Sequence, residues 1–127
     1  MKKLLLAVVA VTGGFAQQHL PVIQSPDVQS DGRVTFRYFD PDAHQVTIHL
    51  EGTKTPLAMD KNDQGVWSAA TPVLAPEIYG YSFEADGMQR MDPMNSQIKP
   101  NLLSISNLVD VPGASPMPGS KRIFLMA

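Results

Sequence analysis

The sequence predicts an all-β fold in which two sheets pack face to face, and three observations support this prediction. Nine Gly and eleven Pro residues break a chain of 127 residues into short segments with frequent turns. Within these segments apolar and polar residues alternate, which is the period of a half-buried strand. After residue 17, no window keeps apolar residues at helical spacing for three turns without a Pro or Gly. Six or seven short strands would bury their apolar faces in a sandwich, with a small closed barrel as the alternative.

The first sixteen residues are expected to be a signal peptide. Lys2 and Lys3 precede an unbroken apolar run over residues 4–11, and small residues stand before a cleavage site near Ala16 and Gln17. The run is shorter than the roughly 20 residues that cross a bilayer. The sequence therefore predicts a secreted or periplasmic protein with no permanent membrane anchor.

The ordered domain is predicted to cover residues 31–112, and its first two strands have one apolar face each. Residues 17–30 precede it as an extended leader without a strand of its own, because they combine two prolines with several polar residues. Polar turn residues end the first strand, and Gly52 ends the second. The predicted inward rows are Val34, Phe36 and Tyr38 in the first strand, then Val46, Ile48 and Leu50 in the second.

The next predicted element is a hairpin. Leu57 and Met59 alternate with polar residues before a polar run over residues 60–65. This run contains Asn, Asp and Gly, which tolerate the positive φ angles of a hairpin connection. Residues 66–68 are therefore predicted to be the returning strand.

The strongest strand signal lies over residues 78–85. Its predicted inward row consists of Tyr79, Tyr81, Phe83 and Ala85. Asp86 and Gly87 predict a tight turn into a strand over residues 88–91. The last strand is expected over residues 102–111, with a bend near its start.

Composition and charge exclude several function classes. Ten Lys and Arg against twelve Asp and Glu give a formal charge of −2, so no basic surface is expected for a nucleic acid. The absence of Cys excludes disulfides and Cys-ligated zinc. His19, His44 and His49 are interpreted as solvated surface residues rather than metal ligands. No Gly-x-Ser-x-Gly turn is present, and the Asp residues beside Pro or Gly are typical of turns, so no catalytic residue and no cofactor are predicted.

Aromatic side chains provide the one positive chemistry in the sequence, because a flat ring matches the apolar face of a sugar. Trp67, Tyr79 and Tyr81 are the candidate carbohydrate-binding rings, with Tyr38 also available. The same residues suit a sandwich core, since Trp67 follows a hairpin turn and the two other candidates share a face with Phe83. Core packing is the favoured interpretation, and sugar binding is the alternative.

Five motifs follow one another along residues 30–112. They lie at residues 31–41, 64–68, 78–87, 91–93 and 101–107. Together they resemble the early-set, immunoglobulin-like N-terminal domain of secreted carbohydrate-acting esterases. The same architecture is similar to the N-terminal domain of α-amylase-family enzymes and to glycogen-binding modules. The resemblance implies an immunoglobulin-like β-sandwich.

In the esterases, the resemblance implies a non-catalytic domain that precedes an α/β-hydrolase domain. The chain ends before such a domain could start, so residues 113–127 are expected to be a linker or a truncated tail. The expected function is to orient or support a carbohydrate-active catalytic domain, which is the expected partner. The alternative is an autonomous carbohydrate-binding module for α-glucan or a plant polysaccharide.

The glycogen-binding relatives imply a ligand site made of two exposed tryptophans, a lysine and an asparagine. Aligned on the tight turn after residue 85, Ser82 takes the position of the lysine and Gln89 that of one tryptophan. The region near Lys54 lacks the other tryptophan, and Asn107 alone matches. Because aromatic anchors supply most of the energy at such sites, tight α-glucan binding is not expected.

Overall fold

A computed structural model describes residues 19–113 of the chain. This range contains ten strands and no helix, so it contains no helix that could cross a membrane. The strands are β1 (Asp27–Val28), β2 (Val34–Phe39), β3 (Val46–Leu50), β4 (Leu57–Ala58), β5 (Asp60–Lys61), β6 (Val66–Ala70), β7 (Glu77–Ala85), β8 (Met88–Arg90), β9 (Ile98–Pro100) and β10 (Ile105–Val111). The predicted signal peptide (1–16) and, apart from residue 113, the predicted tail (113–127) lie outside the described residues.

The strands form two antiparallel sheets. The four-stranded sheet has the order β1-β2-β6-β5. The six-stranded sheet has the order β4-β3-β7-β10-β9, with β8 paired to β7. Buried side chains from both sheets form one apolar cluster, as expected when two half-buried sheets pack face to face. The predicted sandwich is therefore confirmed, and the closed barrel is not formed.

The core follows the predicted alternation. The apolar side chains that point inward from the long strands are Val34, Phe36, Val46, Ile48, Leu50, Tyr81, Phe83, Ala85, Val109 and Val111. Aromatic rings stand at its centre, where the ring of Phe36 lies 4.6 Å from that of Tyr81 and 6.4 Å from that of Phe83. Since alternate residues of a strand point to opposite faces, β7 presents its remaining residues to the outer face of the sheet.

A buried polar cluster ties the start of the domain to the loop after β8. Ser25 Oγ and Tyr81 Oη both donate hydrogen bonds to Asp92 Oδ2, each at 2.7 Å. Asn95 Nδ2 donates to Tyr81 Oη at 2.9 Å, and the backbone N–H of Asp92 donates to Asn107 Oδ1 at 2.7 Å. Burial raises the pKa of the Tyr81 phenol far above its ordinary value. The phenol therefore acts as a neutral donor and acceptor in this network.

Three strand predictions were wrong. Leu57 and Met59 were expected to form a hairpin with residues 66–68, but β4 pairs with β3 in the six-stranded sheet, and β5, which lies in the predicted turn, pairs with β6. The leader was expected to hold no strand, yet β1 pairs with β2 through Asp27 and Val28. A strand of two residues is too short to show an alternation of apolar and polar side chains, so the sequence contains no signal for it.

The last strand was expected to begin at residue 102 but begins at Ile105. Leu102 and Leu103 are 100% and 96% exposed in the loop after β9, a strand that the sequence did not predict. Leu102 and Leu103 were assigned to the last strand because they are apolar, but they pair with no other strand.

Candidate functional site

A groove of about 310 Å³ crosses the outer face of the six-stranded sheet. The pairing of residues between neighbouring strands places small side chains along its floor and longer ones at its sides. His49 on β3 stands opposite Ser82 on β7, and Lys99 on β9 stands opposite Ser106 on β10. The β7–β10 register, continued by one residue, places Ser106 beside Ser82. Two small hydroxyl side chains therefore form the floor between two longer basic side chains, and Gly80 extends this low floor toward the end of β3.

One side of the groove is formed by the Glu51 carboxylate, which folds over Gly80. The backbone N–H of Gly80 donates to Glu51 Oε2 at 2.9 Å, and Lys99 Nζ donates to Glu51 Oε1 at 3.0 Å. These two donors hold the pKa of Glu51 below its ordinary value, with the Gly80 amide as the larger cause. The absence of a side chain at Gly80 is required, because a Cβ there would lie 2.7 Å from the Glu51 carboxylate. About half of each charged side chain remains exposed to the groove.

His49 lines the other side of the groove, and its acidic partner Glu84 lies in a smaller adjoining pocket that His49, Ser82 and Gln89 also line. His49 Nε2 lies 3.0 Å from Glu84 Oε2, and both side chains are about half exposed. Since a carboxylate only accepts, the hydrogen bond requires the proton of the imidazole on Nε2. Gln89 reaches across from β8, and its Nε2 donates to the carbonyl of Ile105 at 2.9 Å. Lys54 lies on the rim in the loop after β3.

The structure places three of the four candidate sugar-binding residues in the interior. Trp67, Tyr81 and Asn107 are 6%, 1% and 1% exposed. The indole N–H of Trp67 donates to the carbonyl of Asp40 at 2.8 Å. Tyr79 is half-buried, packs against the core and donates its hydroxyl to the carbonyl of Ala75 at 2.8 Å. Sugar contact by these four residues stays a prediction, and their burial favours the core interpretation.

The fold brings three of the positions aligned with the glycogen-binding relatives together and separates them from the fourth. Ser82, Gln89 and Lys54 all line the groove, although they are far apart in sequence. Asn107 is on the opposite face of β10, where its Nδ2 donates to the carbonyl of Asn95 at 3.0 Å. Three of the four aligned positions therefore lie in one groove, and the fourth is buried on the other face of the sheet.

Two groove residues, Glu51 and Lys99, were not identified from the sequence. The alternation of the second predicted strand places Glu51 on the outer face but gives it no function, and Lys99 lies on the unpredicted β9. The available signal was the alternation itself, which places Glu51, His49, Gly80, Ser82 and Glu84 on outer faces. Their proximity follows from long-range strand register, which a single sequence does not display.

The groove is bordered by an apolar edge, which we define as Ile98, Leu102, Leu103 and Ile105. Each of these side chains is at least half exposed. Ile105 also lines the groove, so the apolar edge and the polar groove are continuous. Several exposed apolar side chains lie within residues 98–105 at this edge of the sheet, and exposed apolar patches are typical of surfaces that contact another molecule or domain.

No metal-binding group is present in the part of the chain that the structure describes, where no three His, Asp or Glu side chains cluster suitably. His44 and His49 are both exposed, and each contacts a single carboxylate, Asp86 and Glu84 respectively. The Asp86 carboxylate accepts hydrogen bonds from the backbone N–H groups of Gln45 and His44, which lower its pKa, with Gln45 as the larger cause. Asp86 is therefore engaged in holding a turn.

Comparison with protein families gives one match. The family model for carbohydrate-binding module 48, described as the isoamylase N-terminal domain, matches residues 24–99. This range contains Glu51, Lys54, Ser82, Gln89 and Lys99 of the groove. No curated protein matches the chain by sequence.

Solved structures with the same fold include parts of two kinds of enzyme. The enterobactin esterase of Shigella flexneri matches with a TM-score of 0.55 and 19% identity over 63% of this chain and 30% of that chain. The ferric enterobactin esterase of Salmonella typhimurium matches with a TM-score of 0.57 and 19% identity over 74% of this chain and 35% of that chain. The GBS pullulanase SAP, solved in complex with maltotetraose, matches with a TM-score of 0.56 and 16% identity over 68% of this chain and 14% of that chain. The chain thus spans about a third or less of the length of each of these neighbours, and the likeness shows the fold.

Proposed function

Because the chain belongs to the carbohydrate-binding module 48 family, we propose that it is a non-catalytic module that supports a carbohydrate-active catalytic domain of the esterase type. The observation that carries this proposal is the family match, which extends over residues 24–99 and thus over most of the sandwich. The neighbours in which the same fold occurs include two esterases and a pullulanase, each far longer than the matched part. The catalytic domain is the expected partner.

The apolar edge supports this role. Leu102 and Leu103 are almost fully exposed, and Ile98 and Ile105 are about half exposed. Burying such side chains contributes about 1.5–3 kcal/mol each when burial is complete. A catalytic domain placed against this edge would remove it from water and would also border the groove.

Mixing the purified chain with a carbohydrate-esterase α/β-hydrolase domain that lacks its own N-terminal module tests the proposal. We expect a complex in size-exclusion chromatography and a higher melting temperature for the hydrolase domain. The paired variant Leu102→Ser and Leu103→Ser should weaken the complex, whereas Val73→Ser, an exposed apolar residue away from the edge, should not. Absence of any complex, with unchanged stability and activity of the hydrolase domain, would contradict a supporting role.

Export of the protein is part of the proposal. It is supported by the basic start and the apolar run over residues 4–11. N-terminal sequencing of the protein recovered from the periplasm or medium should begin at Gln17. Recovery of the protein only in the cytoplasm, with its N-terminus intact, would contradict export.

Carbohydrate binding by the groove is the second candidate function. The observation that favours it is the meeting of Ser82, Gln89 and Lys54 in one groove, since the resemblance places ligand contacts of the glycogen-binding relatives at or near these positions, with a lysine and tryptophans there in place of the residues of this chain. Affinity electrophoresis against starch, xylan and arabinoxylan tests it. We expect retardation on at least one polysaccharide, and unretarded migration on all three would remove this candidate.

A further inference from the structure

We propose that a second pocket, formed by the leader, the end of β2 and the loop after β8, binds a small neutral aromatic molecule. This pocket, which we name the leader pocket, has a volume of about 210 Å³. Its apolar lining residues are Leu20, Pro21, Ile23, Phe39, Pro93 and Met94. None of them lines the groove of the six-stranded sheet, so a ligand here would not occupy the proposed saccharide site.

Buried hydrogen bonds fix the three walls of the leader pocket relative to one another. Ser25 Oγ accepts from the backbone N–H of Arg37 on β2 at 3.1 Å and donates to Asp92 Oδ2 at 2.7 Å. Asp92 Oδ1 accepts from the backbone N–H of Met94 at 2.9 Å. Ser25 and Asp92 are 4% and 2% exposed, so the walls are held from inside the domain. The pocket is therefore formed before any ligand binds, which lowers the cost of binding.

The outer wall consists of residues 20–23 of the leader, and the leader is anchored immediately after them. The Arg37 guanidinium donates to the carbonyl of Gln24 at 3.0 Å, and Ser25 makes the two hydrogen bonds given above. Within the part of the chain that the structure describes, residues 19–23 themselves make no hydrogen bond. Because only apolar side chains hold this wall, it can move aside for a ligand without breaking a hydrogen bond.

Three side chains of the pocket favour an aromatic ring over a saturated group of the same size. Arg37 and Phe39 alternate with the buried Phe36 along β2, which places them on the outer face of the four-stranded sheet. A ring packs favourably against the ring of Phe39 and beside the sulfur of Met94. The guanidinium of Arg37 is attracted to the face of a ring. The remaining apolar residues supply surface that suits either kind of ligand.

Size and charge further restrict the ligand. An engineered apolar cavity of about 150 Å³ binds benzene, so about 210 Å³ is enough for one ring with a small substituent. Arg37 Nη1 already lies 3.1 Å from Asp27 Oδ2. A carboxylate on the ligand would compete with Asp27 for this group and would lose its hydration among apolar side chains. The leader pocket therefore favours a neutral ring over an anionic one.

NMR titration of the purified chain with p-cresol, a neutral single-ring phenol, tests the proposal. The ring current of a bound aromatic molecule shifts nearby methyl resonances, so we expect saturable shifts of the Met94 ε and Ile23 δ1 methyl groups. The saturated analogue 4-methylcyclohexanol should bind at least threefold more weakly, because it lacks the aromatic contacts. The anion 4-methylbenzoate should also bind at least threefold more weakly. Equal or tighter binding of either analogue would overturn the assignment of a neutral aromatic ligand.

Variants assign the binding to the leader pocket. Met94→Ala should weaken p-cresol binding at least threefold, since it removes the thioether and part of the apolar wall. Met88→Ala is the matched control and should change affinity less than twofold, because Met88 is 57% exposed against 54% for Met94 but does not line the pocket. Phe39→Leu keeps an apolar wall and removes its ring, so it should weaken p-cresol binding more than 4-methylcyclohexanol binding. Unchanged fluorescence of the buried Trp67 shows that each variant is folded.

Three other results would contradict a leader-pocket site. The first is the absence of any shift at Met94 and Ile23 on addition of p-cresol. The second is binding of p-cresol by Met94→Ala with the affinity of the unchanged protein. The third is an equal shift of the Ile98 and Ile105 methyl groups, which are exposed at the apolar edge and outside this pocket; it would show that p-cresol adsorbs to exposed apolar side chains in general.

Discussion

Replacing Gly80 by Ala should detach the Glu51 carboxylate while leaving the sandwich folded. A Cβ at this position would lie 2.7 Å from both Cδ and Oε1 of Glu51, closer than such atoms approach in proteins. The contact is with the far end of a flexible side chain, so the carboxylate moves and the strand does not. The hydrogen bond from the Gly80 amide and the contact with Lys99 are then lost together.

The stability change of this variant should be small because two effects oppose each other. Loss of one hydrogen bond costs about 0.5–1.5 kcal/mol. Replacement of Gly by Ala at a compatible backbone position stabilises by about 0.4–1 kcal/mol through the unfolded state. The free energy of unfolding should therefore change by less than about 1 kcal/mol, which corresponds to a shift in melting temperature below about 8 °C.

The pKa of Glu51 is the sharper measurement. In the unchanged protein it is lowered by the Gly80 amide and by Lys99, so the carboxylate stabilises the fold above its unfolded pKa and this stabilisation is lost as pH falls through the folded pKa. In Gly80→Ala the pKa should rise toward the ordinary value, and the loss of stability in acid should become smaller.

Carbon-detected NMR titration of the Glu51 carboxyl, with urea unfolding at pH 7 and pH 4, provides the assay. Gly52→Ala is not a suitable control, because Gly52 has a φ of +84°; Ala58→Gly, at an exposed position on the edge strand β4, serves instead. An unchanged pKa for Glu51 in Gly80→Ala would refute the reasoning. A loss of stability above about 3 kcal/mol would show that the strand, and not the carboxylate, absorbs the contact.

Three further changes test the interior. Asp92→Ala should destabilise the fold by about 3 kcal/mol in urea unfolding, because it leaves the buried hydroxyls of Ser25 and Tyr81 without their acceptor; an effect below about 1 kcal/mol would contradict the network. Gly65→Ala should cost roughly 2 kcal/mol or more, since the residue has a φ of +81° and its Cβ would lie 2.7–2.8 Å from Pro41 atoms; an unchanged unfolding midpoint would argue against that close approach. Saccharide that binds the groove should leave the fluorescence emission maximum of Trp67 unchanged, because this residue is 6% exposed in the core; a clear shift on binding would place the sugar near the indole.

Much of the fold was predictable because its signals are local. The alternation of Val34 and Phe36, and that of Tyr81 and Phe83, shows in a few consecutive residues which side chains face the core, and all four are buried. β9 could not be predicted in this way. Its residues are exposed, and it is a strand because its backbone pairs with residues 105–107.

The groove was less predictable than the core for the same reason. Glu51 and Lys99 are 48 positions apart in sequence, and they meet only because their strands flank β7 and β10 in one sheet. A single sequence gives the face on which each residue lies but not its neighbour across the sheet. The resemblance to glycogen-binding modules places Ser82 and Gln89 in one site, but it says nothing about Glu51 and Lys99.

The alternation of β7 links the core and the groove as two faces of one strand. Its aromatic residues Tyr81 and Phe83 point inward, where their rings lie 5.9 Å apart, so they cannot also stack on an external sugar. The intervening outward positions hold Gly80 and Ser82, which are small enough to leave a groove and to admit the carboxylate of Glu51. A strand that places its rings in the core therefore leaves hydrogen bonding as the means by which this sheet face can recognise a ligand.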